Sequence, residues 1–243
     1  MALHFVDDGA AAARAGDTVS LTGAEAHHAA AVRRVRPGEK VTVGDGRGVW
    51  LTGTCESVSP KLVVVRIDDR RVDAPPATRL RLVQGLAKGD RDELAVQAAT
   101  ELGVDEIVPW QAARSVSRWD AGKAVKGRDR WEAIAREAGK QAHRAWLPEV
   151  SPLVTTRELA GRGAASRLLV LEPTASVRLA DAVSSDLADV TFIVGPEGGI
   201  APDELTALAD AGAELVRLGD TVLRTSTAGP AALAAVSVLL GRW

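Results

Sequence analysis

Along the first seventy residues the apolar positions fall in short alternating runs. "DTVSLTG", "EKVTVGDG", "GVWLTGTCESV" and "KLVVVRID" carry apolar side chains at roughly every second position, with Gly, Asp or Pro between them. A period of two over short segments predicts strands with one buried face. One stretch, "AEAHHAAAVRRV", interrupts them with helical spacing. This grammar predicts a small β-barrel or sandwich. At "DDRRVDAPPATR" it stops, because Pro75-Pro76 can continue neither a helix nor a central strand. A boundary is expected there, giving a first domain over residues 1–73 and a second over 77–243.

Beyond the prolines the apolar runs become nearly continuous. "RLRLVQGL", "EIVPW", "RLLVLEP", "TFIVGPEGG" and "ELVRLG" predict strands. Between and after them, "RDELAVQAATELGV", a basic stretch from about Arg128 to Ala145, "VRLADAVSS", "DELTALADAG" and the chain from about Ala228 predict helices. Strands buried on both faces and alternating with helices predict an α/β domain around a parallel sheet.

Such sheets bind ligands at the carboxyl ends of their strands. Three of the predicted strand ends are unusual: "LEPTAS", "GPEGGI" and "LGDTVLRTST". The middle one lacks both phosphate-loop patterns, G-x-G-x-x-G and G-x-x-x-x-G-K-[ST]. Pro196 removes a backbone donor, and Glu197 and Glu172 add negative charge where a phosphate would sit. A neutral or cationic ligand fits better, and the glycines allow close backbone approach to a flat heterocycle. An adenine with a positively charged appendage satisfies both demands, as S-adenosylmethionine does. A tight strand-to-helix turn with no ligand is the alternative. Gly198 is expected to leave room for the ligand.

Composition changes this picture little. The chain is 46% hydrophobic and 26% charged, as ordinary globular proteins are. Its longest apolar stretch, Ala228 to Leu240, is too short to span a bilayer, and "MALHFVDDGA" lacks the basic-then-apolar order of a secretory signal. The single cysteine, Cys55, excludes an internal disulfide and a cysteine metal cluster, and is expected to be a passive strand residue. A cytosolic protein with no structural metal and no membrane partner is expected.

Charge adds a partner. The net charge is −2, yet residues 114–144 hold nine Lys or Arg against four Asp or Glu, and "RRVRPGEK" is a second basic knot. From Glu172 to Glu214 there are nine acids and only Arg178. Local basic patches on a nearly neutral chain suit local contact with a polyanion, the alternative being solvated faces.

Taken together, "VGPEGGIAPDEL" and "LGDTVLRTSTA" resemble the paired cofactor loops of the RsmE-type 16S rRNA (uracil-N3)-methyltransferases of the SPOUT superfamily. "HHAAAVRRVRPGEKVTVGDGRG", "LAKGDRDELAVQAATELGV" and "EAGKQAHRAWLPEV" resemble further segments of that family, in the same order. The resemblance implies a PUA-like β-barrel before a SPOUT-type parallel sheet with a C-terminal trefoil knot. It also implies a homodimer, S-adenosylmethionine as cofactor and ribosomal RNA as substrate. Carried over residue by residue, the cofactor contacts are Leu171, Glu172, Gly195, Pro196, Glu197, Gly198, Gly199, Ile200, Leu218, Gly219, Leu223, Thr225, Thr227 and Ala228. Arg33, Arg34, Arg36, Lys88, Arg91 and Arg114 are candidate RNA contacts.

Two departures bear on mechanism. Where relatives read L-R-x-E-T-A this chain has Ser226 at the glutamate, and where they read E-Q-x-G-R it has Lys140-Gln141-Ala142-His143-Arg144. Uridine N3 must lose a proton as it attacks the methyl group, so groups that stabilise an imide anion are needed. Arg224, Arg144 and Gln141 are candidates for that role, and Glu197 for accepting the proton. His143 is expected to be a solvated residue on a basic helix. The other readings are a SPOUT enzyme acting on another nucleotide and a non-catalytic RNA-binding protein on the same scaffold.

Overall fold

A computed structural model of the chain describes residues 2–161, 166–184 and 187–243. It divides into two compact units: residues 1–75 with Gly139–Leu147, and residues 76–138 with 148–243.

The first unit is built on β1 (Leu3–Val6), β2 (Thr18–Thr22), β3 (Lys40–Gly44), β4 (Val49–Ser59) and β5 (Leu62–Val72). They form one sheet in the order β1-β3-β4-β5-β2, with β1 parallel to β3 and the remaining pairs antiparallel. Helix α1 (Gly23–His27) runs into a π turn over His28–Val32; the expected helix is cut short there, and Arg33, Arg34 and Val35 are not helical, Arg34 having φ at +56°. The alternation read from the sequence is what fills the core: Leu21, Val41, Val43, Leu51, Cys55, Val65 and Ile67 are buried around Phe5. Cys55 is an ordinary core residue of β4. Register shifts on either side of Thr54 bend the β4–β5 hairpin. At Gly53 a Cβ would lie 2.5 Å from the Arg66 carbonyl oxygen, so only glycine fits that bulge.

The second unit runs β6 (Arg79–Gly85), α2 (Arg91–Glu101), β7 (Glu106–Trp110), α3 (Ala121–Gln141, whose last three residues belong to the first unit), β8 (Glu149–Val150), α4 (Thr156–Ala160) and β9 (Arg167–Leu171). It continues with β10 (Val177–Arg178), α5 (Leu179–Ala182), β11 (Asp189–Val194), α6 (Pro202–Asp210), β12 (Glu214–Arg217) and α7 (Thr225–Leu239). The strands form an all-parallel sheet in the order β10-β12-β9-β11-β6-β7-β8. Each central strand feeds two cores, which is why its apolar run is continuous. Val190, Phe192 and Val194 of β11 join Val96 and Ala99 of α2 and Leu233 and Val236 of α7. Ile193 of the same strand joins Val83 and Leu208 of α6 on the other cluster.

Three elements differ from expectation. The basic helix spans Ala121–Gln141 and stops well before Ala145. Asp120 starts it, accepting the Lys123 N–H at 3.0 Å, and His143 lies beyond its end with φ at +54°. In "VRLADAVSS" the first two residues pair with Val216 and Arg217 as an edge strand, so only Leu179–Ala182 is helical; Ser185 lies outside the described residues. The last helix begins at Thr225 rather than about Ala228.

Candidate functional site

Strands β9, β11 and β12 are hydrogen-bonded neighbours in the order β12-β9-β11, so the three unusual loops leave the sheet side by side. After β9, the Glu172 N–H donates to the Val216 carbonyl at 2.9 Å, and the Glu172 carboxylate accepts from the Thr174 hydroxyl at 2.9 Å and its N–H at 3.2 Å. After β11, the chain turns at Pro196, whose carbonyl accepts the Gly199 N–H at 2.9 Å, with Gly199 at φ +72°. After β12, the run to Arg224 enters α7, whose first turn closes on the Arg224 carbonyl through the Thr227 and Ala228 N–H groups.

Between these loops lies a cavity of about 480 Å³, within the range of roughly 300–1,000 Å³ usual for small-molecule sites. Its lining contains Leu171, Glu172, Gly195, Pro196, Glu197, Gly199, Ile200, Leu218, Gly219, Leu223, Arg224, Thr225 and Ala228. Pro173, Arg217, Thr221 and Val222 complete it along with the strand ends Val194 and Val216, none of which the motif reading singled out. Gly198 and Thr227 are not in the lining. A Cβ on Gly198 would lie 3.2 Å from Arg114 Cβ and 3.3 Å from the Arg114 carbonyl oxygen, so a side chain there would press on Arg114.

The charges are arranged differently from the acidic loop that the sequence suggested. Glu197 Oε1 accepts from the Lys88 N–H and from the Arg91 guanidinium, both at 2.8 Å. Partial burial pushes its carboxyl up, but backbone donors at Glu197 and Lys88 and the Arg91 charge outweigh that, holding it below the usual glutamate range. Arg91 itself lines the cavity, as does Arg217, which donates to Asp220 at 2.5 Å. The cavity thus mixes paired charges with Glu172 and an exposed Arg224.

The remaining candidates fall elsewhere. Arg114 donates to the carbonyls of Gly198 and Ile200 at 3.3 and 3.5 Å. Lys88 is exposed in the turn after β6. Arg33, Arg34 and Arg36 are exposed around the buried Val35 in the first unit, with Arg34 at φ +56°. Gln141 and Arg144 also belong to that unit. Within it, Lys140 is buried and its Nζ lies 3.0 Å from Glu25 Oε2 and 3.4 Å from His28 Nδ1, while Glu25 Oε1 accepts the Val6 N–H at 3.0 Å. His143 is not a solvated helix residue: it is half-buried, its ring centroid 5.8 Å from that of His4 and 6.2 Å from that of Trp50. Burial first, and then neighbouring positive charge that includes Arg33, push its pKa down.

Residue-level motif reading missed Gln84, at the end of β6. It is fully buried and donates 2.8 Å to the Thr225 hydroxyl, which donates 2.8 Å to the Gly195 carbonyl. An uncharged polar residue after Leu82-Val83, near the end of "RLRLVQGL", was the available signal.

Comparison with known proteins agrees with this geometry. Residues 74–237 match the RNA methyltransferase domain family, and residues 21–68 match the RNA methyltransferase PUA domain family. The chain is 44% identical to ribosomal RNA small subunit methyltransferase E of Mycobacterium bovis, over 94% of this chain and 89% of that one. It is 32% identical to the Bacillus subtilis protein of the same name, over 90% of each. A crystal structure of ribosomal RNA small subunit methyltransferase E from Neisseria gonorrhoeae bound to S-adenosyl methionine superposes with a TM-score of 0.88, at 29% identity and 98% coverage of both chains. The two units therefore have the PUA-like and SPOUT folds. The chain belongs to the ribosomal RNA small subunit methyltransferase E family.

Proposed function

We propose that this protein transfers the methyl group of S-adenosylmethionine to N3 of a uridine in 16S ribosomal RNA. The observation that carries the reading is the cavity formed by three adjacent strand-end loops, in a chain that superposes over 98% of its length on a relative bound to that cofactor. Leu171, Gly195, Ile200, Leu218 and Leu223 supply apolar and backbone surface for the adenosine. Glu172 offers a carboxylate to the cofactor's positive groups.

N3 lies on the Watson–Crick edge, so the uridine reacts unpaired or drawn out of its stack. N3 gives up its proton to solvent, spreading negative charge onto O2 and O4, and attacks the methyl carbon as the carbon–sulfur bond breaks with its electron pair kept by sulfur. Arg224, exposed in the cavity lining, is placed to meet that charge, and Gln141 and Arg144 are further candidates. Glu197 serves better as the anchor of Arg91 than as a base, because its oxygen is engaged and its basicity lowered. In-line positioning of sulfonium and N3 supplies most of the acceleration. Arg33, Arg34 and Arg36 hold RNA phosphates.

A homodimer and a trefoil knot belong to the same reading. Val238, Leu239 and Trp243 at the end of α7 are exposed, as is Leu94 of α2, which suits a partner surface. The strand order, with β9 between β12 and β11, is compatible with a knotted cofactor site. No helix among the described residues is long and apolar enough to cross a membrane. A cytoplasmic location belongs to this reading because the proposed substrate, ribosomal RNA, is there.

The test is transfer of radiolabelled methyl to small subunits and naked 16S RNA from a strain lacking the gene, followed by mass mapping. Label at uridine N3 is expected. Label on another base or a ribose would replace the substrate assignment, and absence of transfer with intact RNA binding would leave a non-catalytic binder.

A further inference from the structure

Two of the cavity's loops are joined beneath its lining by a side chain that does not itself line it. Gln84 Nε2 donates to the Thr225 hydroxyl at 2.8 Å and to the Gly85 carbonyl at 3.2 Å. Thr225 Oγ1 donates to the Gly195 carbonyl at 2.8 Å. The orientation of this relay is fixed by counting protons. A threonine hydroxyl has one hydrogen, here spent on Gly195, so Gln84 must approach it as donor. The opposite amide orientation would leave both Gly85 and Thr225 facing an acceptor. Gln84 is 0% exposed, so water cannot replace what it supplies. Thr225 and Gly195 both line the cavity, one at the start of α7 and the other at the end of β11. The next residue of β6 braces the same loop, since a Cβ on Gly85 would lie 2.7 Å from Pro196 N.

We propose that Gln84 is a positioning residue for the cofactor: by directing the Thr225 hydroxyl onto the Gly195 carbonyl it sets the spacing between the loop after β11 and the start of α7. This rests on S-adenosylmethionine being the cavity's ligand. Gln84 acts through Thr225 and not on the methyl group. Its loss therefore loosens cofactor binding and leaves the chemical step, once the cofactor is bound, nearly unchanged.

The test is calorimetric titration of the full-length protein with S-adenosylmethionine, paired with single-turnover rates at saturating cofactor. Gln84→Met keeps the volume without the amide, Thr225→Val removes the hydroxyl and Thr225→Ser retains it. Gln84→Met and Thr225→Val should each weaken binding by about 5- to 10-fold, the worth of one neutral hydrogen bond. Thr225→Ser should bind as wild type does. The double variant Gln84→Met/Thr225→Val should be no weaker than Thr225→Val alone, because the relay is broken once. The saturated rate of Gln84→Met should stay within about twofold of wild type. Gln84→Asn, which withdraws the amide by one methylene, takes the place of Gln84→Met if the latter does not fold, with the same expectation. Wild-type protein that does not bind S-adenosylmethionine would overturn the proposed function. Wild-type binding with undiminished affinity in the Gln84 variants, or losses that multiply in the double variant, would overturn the relay. A variant that melts earlier yet binds normally has only a structural role, which also overturns it.

Discussion

Glu197 lines the cavity with its charge paired to Arg91 and with Oε1 accepting from both Arg91 and the Lys88 N–H. Glu197→Gln should therefore lower the single-turnover rate by less than about tenfold and leave its pH profile unshifted, whereas loss of a general base costs about 10²–10⁴. A fall of that larger size, measured at saturating cofactor and RNA, would make Glu197 the proton acceptor. Its motif was legible in the sequence but its partner was not, because Arg91 is 106 residues away. The same distance problem hid Gln84, whose partner lies 141 residues on. Lys140 is a residue whose type misleads: in a basic run it looks like surface, yet it is buried against Glu25. His4 offers a second test at this scale. Its ring stacks on Trp50 at 4.1 Å, Nδ1 meets Thr42 Oγ1 at 2.9 Å, and Nε2 is buried without a protein partner. Burial first, then His143, Lys140 and Arg71, push its pKa from 6.5 to about 3. The folded state keeps His4 neutral while the unfolded state takes up a proton, so its contribution to stability is complete above pH 6.5 and is lost as pH falls towards 3. Over that window the slope is about 1.4 kcal/mol per pH unit. Urea unfolding at pH 7 and pH 5 should show the gap between wild type and His4→Phe shift in favour of the variant at the lower pH.

Helices and strands were most legible where a single face or both faces are buried. Continuous apolar runs marked β9 and β11 because two cores claim their alternate residues, whereas in β6 Arg79 and Arg81 alternate with Leu80 and Leu82. Two-residue strands such as β8 and β10 carry too few positions for any period, and β1 is only four residues long. The end of α3 was misplaced because basic residues continue past it, while the backbone turns left-handed at His143. Helix α7 shows why its small residues are there. A Cβ on Gly229 would lie 2.7 Å from Leu82 Cδ1, so the helix packs closely on β6 and a side chain there would have to displace Leu82. Gly229→Ala is expected to cost about 1–3 kcal/mol by overpacking, offset slightly by better helix propensity. Denaturant unfolding measures it, and a more stable variant would show that Leu82 can move aside.

At the scale of the whole molecule, docking and chemistry are expected to separate. Replacing Arg33, Arg34 and Arg36 with Ala should weaken RNA binding and reduce its salt slope by about one unit per lost phosphate contact, with cofactor affinity unchanged. Arg224→Ala should instead depress the single-turnover rate at saturating RNA. Equal loss of saturated rate from both sets would remove the distinction. The proline break was visible in the sequence, but the return of Gly139–Leu147 to the first unit was not, since nothing local distinguishes it. That return is anchored at several points: the Leu147 N–H donates to Gly46, the Trp146 indole donates to the Asp73 carbonyl, and Lys140 reaches Glu25. A Cβ on Gly46 would press to within 2.9 Å of Leu147 Cδ1. A chain leaving the ribosome thus releases all five strands of this sheet by residue 72, and must then make most of the next domain's first half before residue 147 arrives to finish the job. During that interval Glu25 has no lysine and Trp50 lacks one of its ring neighbours, so the nascent sheet is the form a chaperone or protease would meet.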